Sequence, residues 1–170
     1  MHLKKWVTQL LKTSPLLSNT GVRSELVIEW WMPGEKHHRR IYRHHSPTNA
    51  GFAATAGLFC GSGGLAAFTY LELGTGSTAF DVTQTALITP VTDTGLARHA
   101  AAVTLVQTTV ANDTANLDYT WTATGVKILR EIGIFNAASG VTMADRTVFD
   151  AITTADTMQV HMTYKEKFSA

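Results

Sequence analysis

Four histidines, His37, His38, His44 and His45, bracket Arg39, Arg40 and Arg43, with Lys36 at the edge of the same run. A metal site fits them poorly, because neighbouring cations repel a divalent ion and the paired spacing matches no established ligand pattern. Guanidinium forks pair with carboxylates or phosphates, and the histidines add charge below about pH 6.5. Arg39, Arg40 and Arg43 are therefore candidate contacts to a partner protein or anion. A solvated edge hairpin, whose charges discourage strand-to-strand aggregation, fits the same residues equally well.

A second candidate is Leu71-Glu72-Leu73-Gly74-Thr75-Gly76-Ser77, a strand running into a glycine-rich turn. It imitates the first motif of nucleotide-dependent methyltransferases and of dinucleotide-binding folds. There the glycines matter because a helix N-terminus follows and its free N–H groups hold an anion. Phe80 to Pro90 is rich in Thr, ends at a proline and carries no helical stripe. The expectation is a tight turn at a sheet edge and no cofactor.

Other chemistries fail on spacing. No Lys-Ser or Lys-Thr closes the glycine runs at Gly61 to Gly64 or Gly74 to Gly76, as a phosphate loop requires. Ser62 lacks the glycine two places ahead that a nucleophile elbow needs. Cys60 would need His99 or His161 beside it to become a nucleophile, and a small buried hydrophobe is the commoner role. Asp81, Asp93, Asp113, Asp118, Asp145, Asp150 and Asp156 fall mostly at expected turns, which explains them without acid–base work. Trp30, Trp31 and Trp121 lie in strand-like runs, where aromatic residues are usually core or subunit interface. No catalytic residue, metal ligand or cofactor contact is expected, and the chain is read as not an enzyme.

The elements that carry these residues follow from size and patterning. A chain of 170 residues and 18.4 kDa suits one compact domain with an appendage. Charged residues make up 16%, below the usual ~25%, which suggests a surface covered in part by other protein. The net charge of +1 gives no bulk attraction to nucleic acid or to an anionic membrane. A lone cysteine requires no oxidising compartment. Lys4 and Lys5 ahead of Trp6 imitate a secretory signal, but Thr8, Gln9 and Lys12 interrupt its apolar core. No window reaches the ~20 apolar residues of a membrane span.

Leu3, Trp6, Val7, Leu10 and Leu11 share one face of a short helix that Pro15 ends. So short a helix must dock, on its own domain or on a neighbouring subunit. Residues 24–31 and 36–43 read as a hairpin around Met32-Pro33-Gly34-Glu35. A short helix is expected from Asn49 to Cys60, capped by Thr48 or Asn49, with Phe52, Ala56 and Phe59 on one face. Strands are expected over 69–73, 100–110, 117–123, 128–135, 147–152 and 158–168. Short strands separated by turns, with no helices between them, predict a mainly β chain. Its architecture is an antiparallel β-sandwich, jelly-roll or immunoglobulin-like, over residues 47–170, preceded by an arm of helix and hairpin over residues 1–46. The expected core is Leu71, Leu73, Val103, Leu105, Tyr119, Trp121, Ile132, Ile134, Val148, Val160 and Met162.

Thr48-Asn49-Ala50-Gly51-Phe52, then Tyr70 to Thr78 with Asp81 and Gln84 to Leu87, Pro90-Val91 and Arg98 form a recognisable series. Glu131 to Gly140, Thr142-Met143, Arg146 and Val148-Phe149 continue it. This series resembles a group of small virion structural proteins of tailed bacteriophages, of capsid-surface, fibre or tail-associated type. Val141 stands where that family's turn has a second glycine, and the first 46 residues match only loosely. The resemblance implies a non-catalytic virion component in a symmetric homo-oligomer that contacts capsid or tail subunits. Leu3, Trp6, Val7, Leu10, Leu11, Arg39, Arg40 and Arg43 are its candidate partner contacts. Membrane and nucleic acid are not expected partners. A capsid-exterior or fibre-base position is preferred, a tail or baseplate adaptor being the alternative, and a receptor- or glycan-binding module a further one.

Overall fold

The computed structural model describes residues 23–45, 47–59, 61–140 and 142–168. The helix expected around Leu3, Trp6, Val7, Leu10 and Leu11 lies outside the described residues, as does Cys60. In chain order the elements are β1 (Arg23–Trp31), β2 (Arg39–His45), α1 (Asn49–Phe59), β3 (Tyr70–Gly74), β4 (His99–Ala100), β5 (Ala102–Val106), β6 (Thr114–Thr122), β7 (Ile128–Phe135), β8 (Met143–Thr153) and β9 (Gln159–Lys167). The chain is mainly β, with two antiparallel sheets ordered β2-β1-β9-β6-β5 and β4-β3-β7-β8.

Period-two alternation builds the layers. Leu26 and Ile28 of β1, Leu117 and Trp121 of β6, and Val160, Met162 and Tyr164 of β9 point from the larger sheet into one shared core. Leu71 and Leu73 of β3, Leu129, Ile132 and Ile134 of β7, and Phe149 and Ile152 of β8 meet them from the smaller sheet. At about 25 cal/mol per Å² of apolar area, burial of these side chains supplies the main drive for folding.

Several expectations change on contact with the tertiary structure. The hairpin, expected in an arm, is part of the five-stranded sheet: each residue of β1 pairs with one of β9, from Arg23↔Lys167 to Trp31↔Gln159. Its inward residues Ser24, Leu26 and Ile28 are buried, so β1 is a core strand that happens to carry a charged neighbour. Val148 faces away from the core, since the inward positions of β8 are Asp145, Thr147 and Phe149, two of them polar. Val103 and Leu105 do face inward, yet they stay 45% and 62% exposed because the sandwich is open beside β5. Tyr119 packs on the core while only partly buried.

α1 is capped by Thr48, whose Oγ1 accepts the Gly51 N–H at 3.0 Å. It buries Gly51 and Ala54, while Phe52 and Ala56 of the expected apolar face are exposed. Close approach explains this choice: a Cβ on Gly51 would stand 2.0 Å from the Ala144 carbonyl oxygen, so only glycine lets the helix lie on β8.

The 24 residues from Thr75 to Arg98 join β3 to β4; the part up to Thr89 folds over the outer face of the smaller sheet, whereas Pro90 bridges to Gly74 and Val91 and Leu96 turn into the main core. Beneath them lies a fully buried ion pair, in which Arg146 Nε donates to Glu131 Oε2 at 2.7 Å. Glu131 also accepts N–H bonds from Gly76 (3.0 Å), Ile88 (3.1 Å) and Thr89 (2.8 Å). Arg146 donates onward to the Thr78 carbonyl at 2.9 Å and to Gln84 Oε1 at 2.9 Å. A second pair, Arg98 with Glu72 at 2.8 Å, holds the far end of the segment. Arg98 also reaches the Ala137 and Gly140 carbonyls at 3.1 and 3.2 Å and lies 3.8 Å over the Phe135 ring. Breaking a buried pair by removing one partner leaves an uncompensated charge. Arg146→Met is therefore expected to lower unfolding free energy by about 3–5 kcal/mol, read as a reduced midpoint in urea titration.

Candidate interaction surfaces

β2 is one edge of the five-stranded sheet, and it carries the three arginines singled out as partner contacts. Arg40 Nε donates to Glu29 Oε1 at 2.8 Å, its Nη2 donates to the same oxygen, and its Nη1 donates to the Tyr42 hydroxyl at 2.7 Å. This guanidinium holds the Glu29 carboxyl below its ordinary range. Arg43 reaches Asp150 Oδ2 of β8 at 2.5 Å and the Tyr42 carbonyl at 2.9 Å. Arg39 lies 3.8 Å from Glu35 and is the most exposed of the three. His38 stacks on Trp31 with centroids 4.0 Å apart. The positive run is thus answered by acidic residues of its own chain, and Arg39 remains the arginine best presented to a partner.

On the outer face of the same sheet, His161 of β9 sits between carboxylates from two neighbouring strands. Its Nε2 is 2.8 Å from Asp118 Oδ1 and its Nδ1 is 3.5 Å from Glu29 Oε2. Thr163 Oγ1 donates to Asp118 Oδ2 at 2.9 Å. Both ring nitrogens face acids, so the cluster acts as a cross-strand tie rather than as a base aimed at a nucleophile. His99, the other histidine considered beside Cys60, stacks on Tyr119 at 4.1 Å. Only the strand register brings Glu29, Asp118 and His161 together, and no local motif announced them.

Gly74 and Gly76 have a definite reason to be glycine. A Cβ on either would lie 2.5 Å from Glu131 Oε1, and on Gly76 it would also lie 2.8 Å from the Ile88 Cβ. Their backbone wraps the buried carboxylate, and β3 runs on into the covering segment with no helix after it. The anion served by this turn is a side chain of the protein itself.

β5 forms the opposite edge of the five-stranded sheet. Its sequence Ala102–Val106 carries no charge, proline or glycine. Beside it the end of the sandwich opens as a largely apolar groove of about 440 Å³, lined by Leu58, Phe68, Val103, Ala115, Glu166 and Phe168 among others. Glu166 brings the groove its buried polar group. The Ser24 hydroxyl lies between this carboxyl (Oε2, 2.5 Å) and Asp145 (Oδ2, 3.1 Å), while Tyr164 hydrogen-bonds to Asp145 and meets Thr147 Oγ1 at 3.0 Å. Burial and the neighbouring Asp145 push the Glu166 carboxyl up to about 8, so at neutral pH it is protonated. Ser24 has one proton to give, and the protonated Glu166 supplies the second hydrogen bond. The other oxygen, Glu166 Oε1, is buried without a hydrogen-bond partner.

Among the described residues, no group of three or more His, Cys, Asp or Glu side chains is placed to hold a metal ion, and no helix is long and apolar enough to cross a membrane. No protein-family model matches the chain, and searches of curated proteins and of solved structures returned no match.

A pH dependence follows from Glu166. Its folded value of about 8 lies above the ordinary 4.5, so between those limits the folded chain keeps a proton that the unfolded chain releases. The contribution of Glu166 to stability is full below pH 4.5 and declines as the pH rises towards 8. Glu166→Gln should flatten this slope and raise the melting temperature at pH 8 by several degrees or more. Thermal melts from pH 4 to pH 9 check both.

Proposed function

We propose that the chain is a non-catalytic structural component of a bacteriophage particle that binds neighbouring virion subunits, on the capsid exterior or at the base of a fibre. The observation that carries this reading is the contrast between the two edges of one sheet. Arg39, Arg40, Arg43 and His44 guard the β2 edge against pairing, whereas β5 presents an uncharged strand with Val103 and Leu105 uncovered. Such an edge is a template for strand addition, and a low charged fraction suits a surface that assembly covers. The sequence series that resembles small phage virion proteins adds support. Glu72, Gly74, Gly76, Gln84, Arg98, Glu131 and Arg146 from that series form the covering clamp of the smaller sheet. A scaffold whose most elaborate polar network is internal and structural fits a particle component.

Peptide counting by mass spectrometry on separated heads and tails tests this role. Hundreds of copies on heads support the capsid position, a handful on tails supports the adaptor position, and absence from purified particles overturns the proposal. A charge placed in the unguarded edge, Leu105→Lys, is expected to reduce particle-bound copies tenfold or more, equivalent to about 1.4 kcal/mol or more of association energy. Its melting temperature should stay within about 2 °C of wild type, since exposed sites usually change stability by under 0.5 kcal/mol.

A further inference from the structure

We infer that the groove at the open end of the sandwich is the seat of the chain's own N-terminal segment, residues 3–11. This inference stands on the groove and on that segment's sequence, and it holds whether or not the virion role does.

Position comes first. Residues 1–22 lead into Arg23, which pairs with Lys167; the next residue, Ser24, pairs with Glu166, a wall of the groove, and Ala115 and Phe168 of that wall lie alongside. The eleven residues from Lys12 to Val22 span up to about 36 Å when extended at ~3.3 Å each. That is ample to return residues 3–11 to a groove beginning one strand away, and so short a tether favours occupation from within the same chain.

Size and chemistry agree. A dry cavity of roughly 150 Å³ takes one benzene, so the 440 Å³ here takes about three ring-sized groups. Successive turns of the segment present Leu3, Trp6 with Val7, and Leu10 with Leu11 on one face. A helix over these residues cannot stand alone in water, and the groove cannot stay bare without leaving Leu58, Val103 and Phe168 partly exposed. The polar groups are compatible as well. Glu166 of the groove lining has a buried carboxyl oxygen, Oε1, without a hydrogen-bond partner. Within the apolar stripe the one polar side-chain atom is the Trp6 indole nitrogen, which can only donate. In an assembled particle, exchange of the segment between copies would use the same seat.

The full-length chain labelled with 5-fluorotryptophan tests this directly, because its four tryptophans give four fluorine signals and Trp6→Phe identifies one of them. Seating predicts a Trp6 signal displaced from the free position, insensitive to exchange of H2O for D2O, and unchanged on dilution. Leu58→Asp at the groove mouth and Leu10→Asp in the segment should each return it to the free position while the Trp121 signal, from the core, stays in place. A Trp6 signal that is solvent-sensitive in wild type and indifferent to both substitutions overturns the inference. So does one that becomes free on dilution, which assigns the seat to another copy's segment. Binding of the apolar dye ANS to wild-type protein with Trp6 free also overturns it, leaving the groove to an unrelated ligand.

Discussion

A single buried ion pair, Glu131 with Arg146, organises the half of the molecule that hydrophobic patterning leaves undetermined. Each charge taken from water alone would cost several kcal/mol, and their mutual attraction offsets that only when the remaining hydrogen-bonding positions are also satisfied. The covering segment satisfies them. Gly76, Ile88 and Thr89 bring backbone donors to the carboxylate, and Thr78 and Gln84 bring acceptors to the guanidinium. The pair and the segment therefore stabilise one another. Without the segment the charges would face solvent on an open sheet, and without the charges a long connection of this kind would have few reasons to adopt one path. Gly74 and Gly76 follow from the same constraint, because nothing larger fits against the carboxylate.

With one face of the smaller sheet closed in this way and the other packed in the core, the freedom to meet other molecules is left to the larger sheet. Its outer face is tied by cross-strand polar contacts, the ion pairs of Glu29 with Arg40 and of Lys167 with Glu25 at 2.7 Å and the hydrogen bond between His161 and Asp118. Pairs of this exposed kind contribute little to stability, typically under about 1 kcal/mol each, but they set register and keep the face wet. Among the described residues, the β5 edge and the adjoining groove, where the inward-facing Val103 and Leu105 stay exposed, are left uncommitted. Both lie at the same end as the entry of the N-terminal segment. The proposed assembly contact and the proposed seat of the N-terminal segment thus converge on one region.

The layers were legible in the sequence and the closures were not. Alternation in 117–123, 128–135 and 158–168 announced strands because one face of each meets a core, and period two is what such a strand must show. Val148 misled the same logic, since β8 turns Asp145 and Thr147 inward to serve Tyr164 and Ser24, reversing the usual polarity of an alternating strand. The basic run over 36–45 suggested a separate arm because charge is read locally, whereas the answering acids Glu29 and Asp150 come from other strands. Glu131, Arg146, Gly74 and Gly76 were noticed as a pattern without a mechanism. Their meaning depends on residues more than forty positions apart in the chain, and no spacing rule for helices or strands reaches that far. His161 with Glu29 and Asp118 went unseen for the same reason.

Native-state hydrogen exchange at the amides of Gly76, Ile88 and Thr89 tests the central claim most directly. If the buried pair and its cover form one cooperative unit with the sheets, these three amides exchange only through global unfolding, with the same denaturant dependence as core amides of β7. Exchange at the rate of an open surface loop, while β7 remains protected, would show that the segment is an accessory and that the ion pair does not organise the fold.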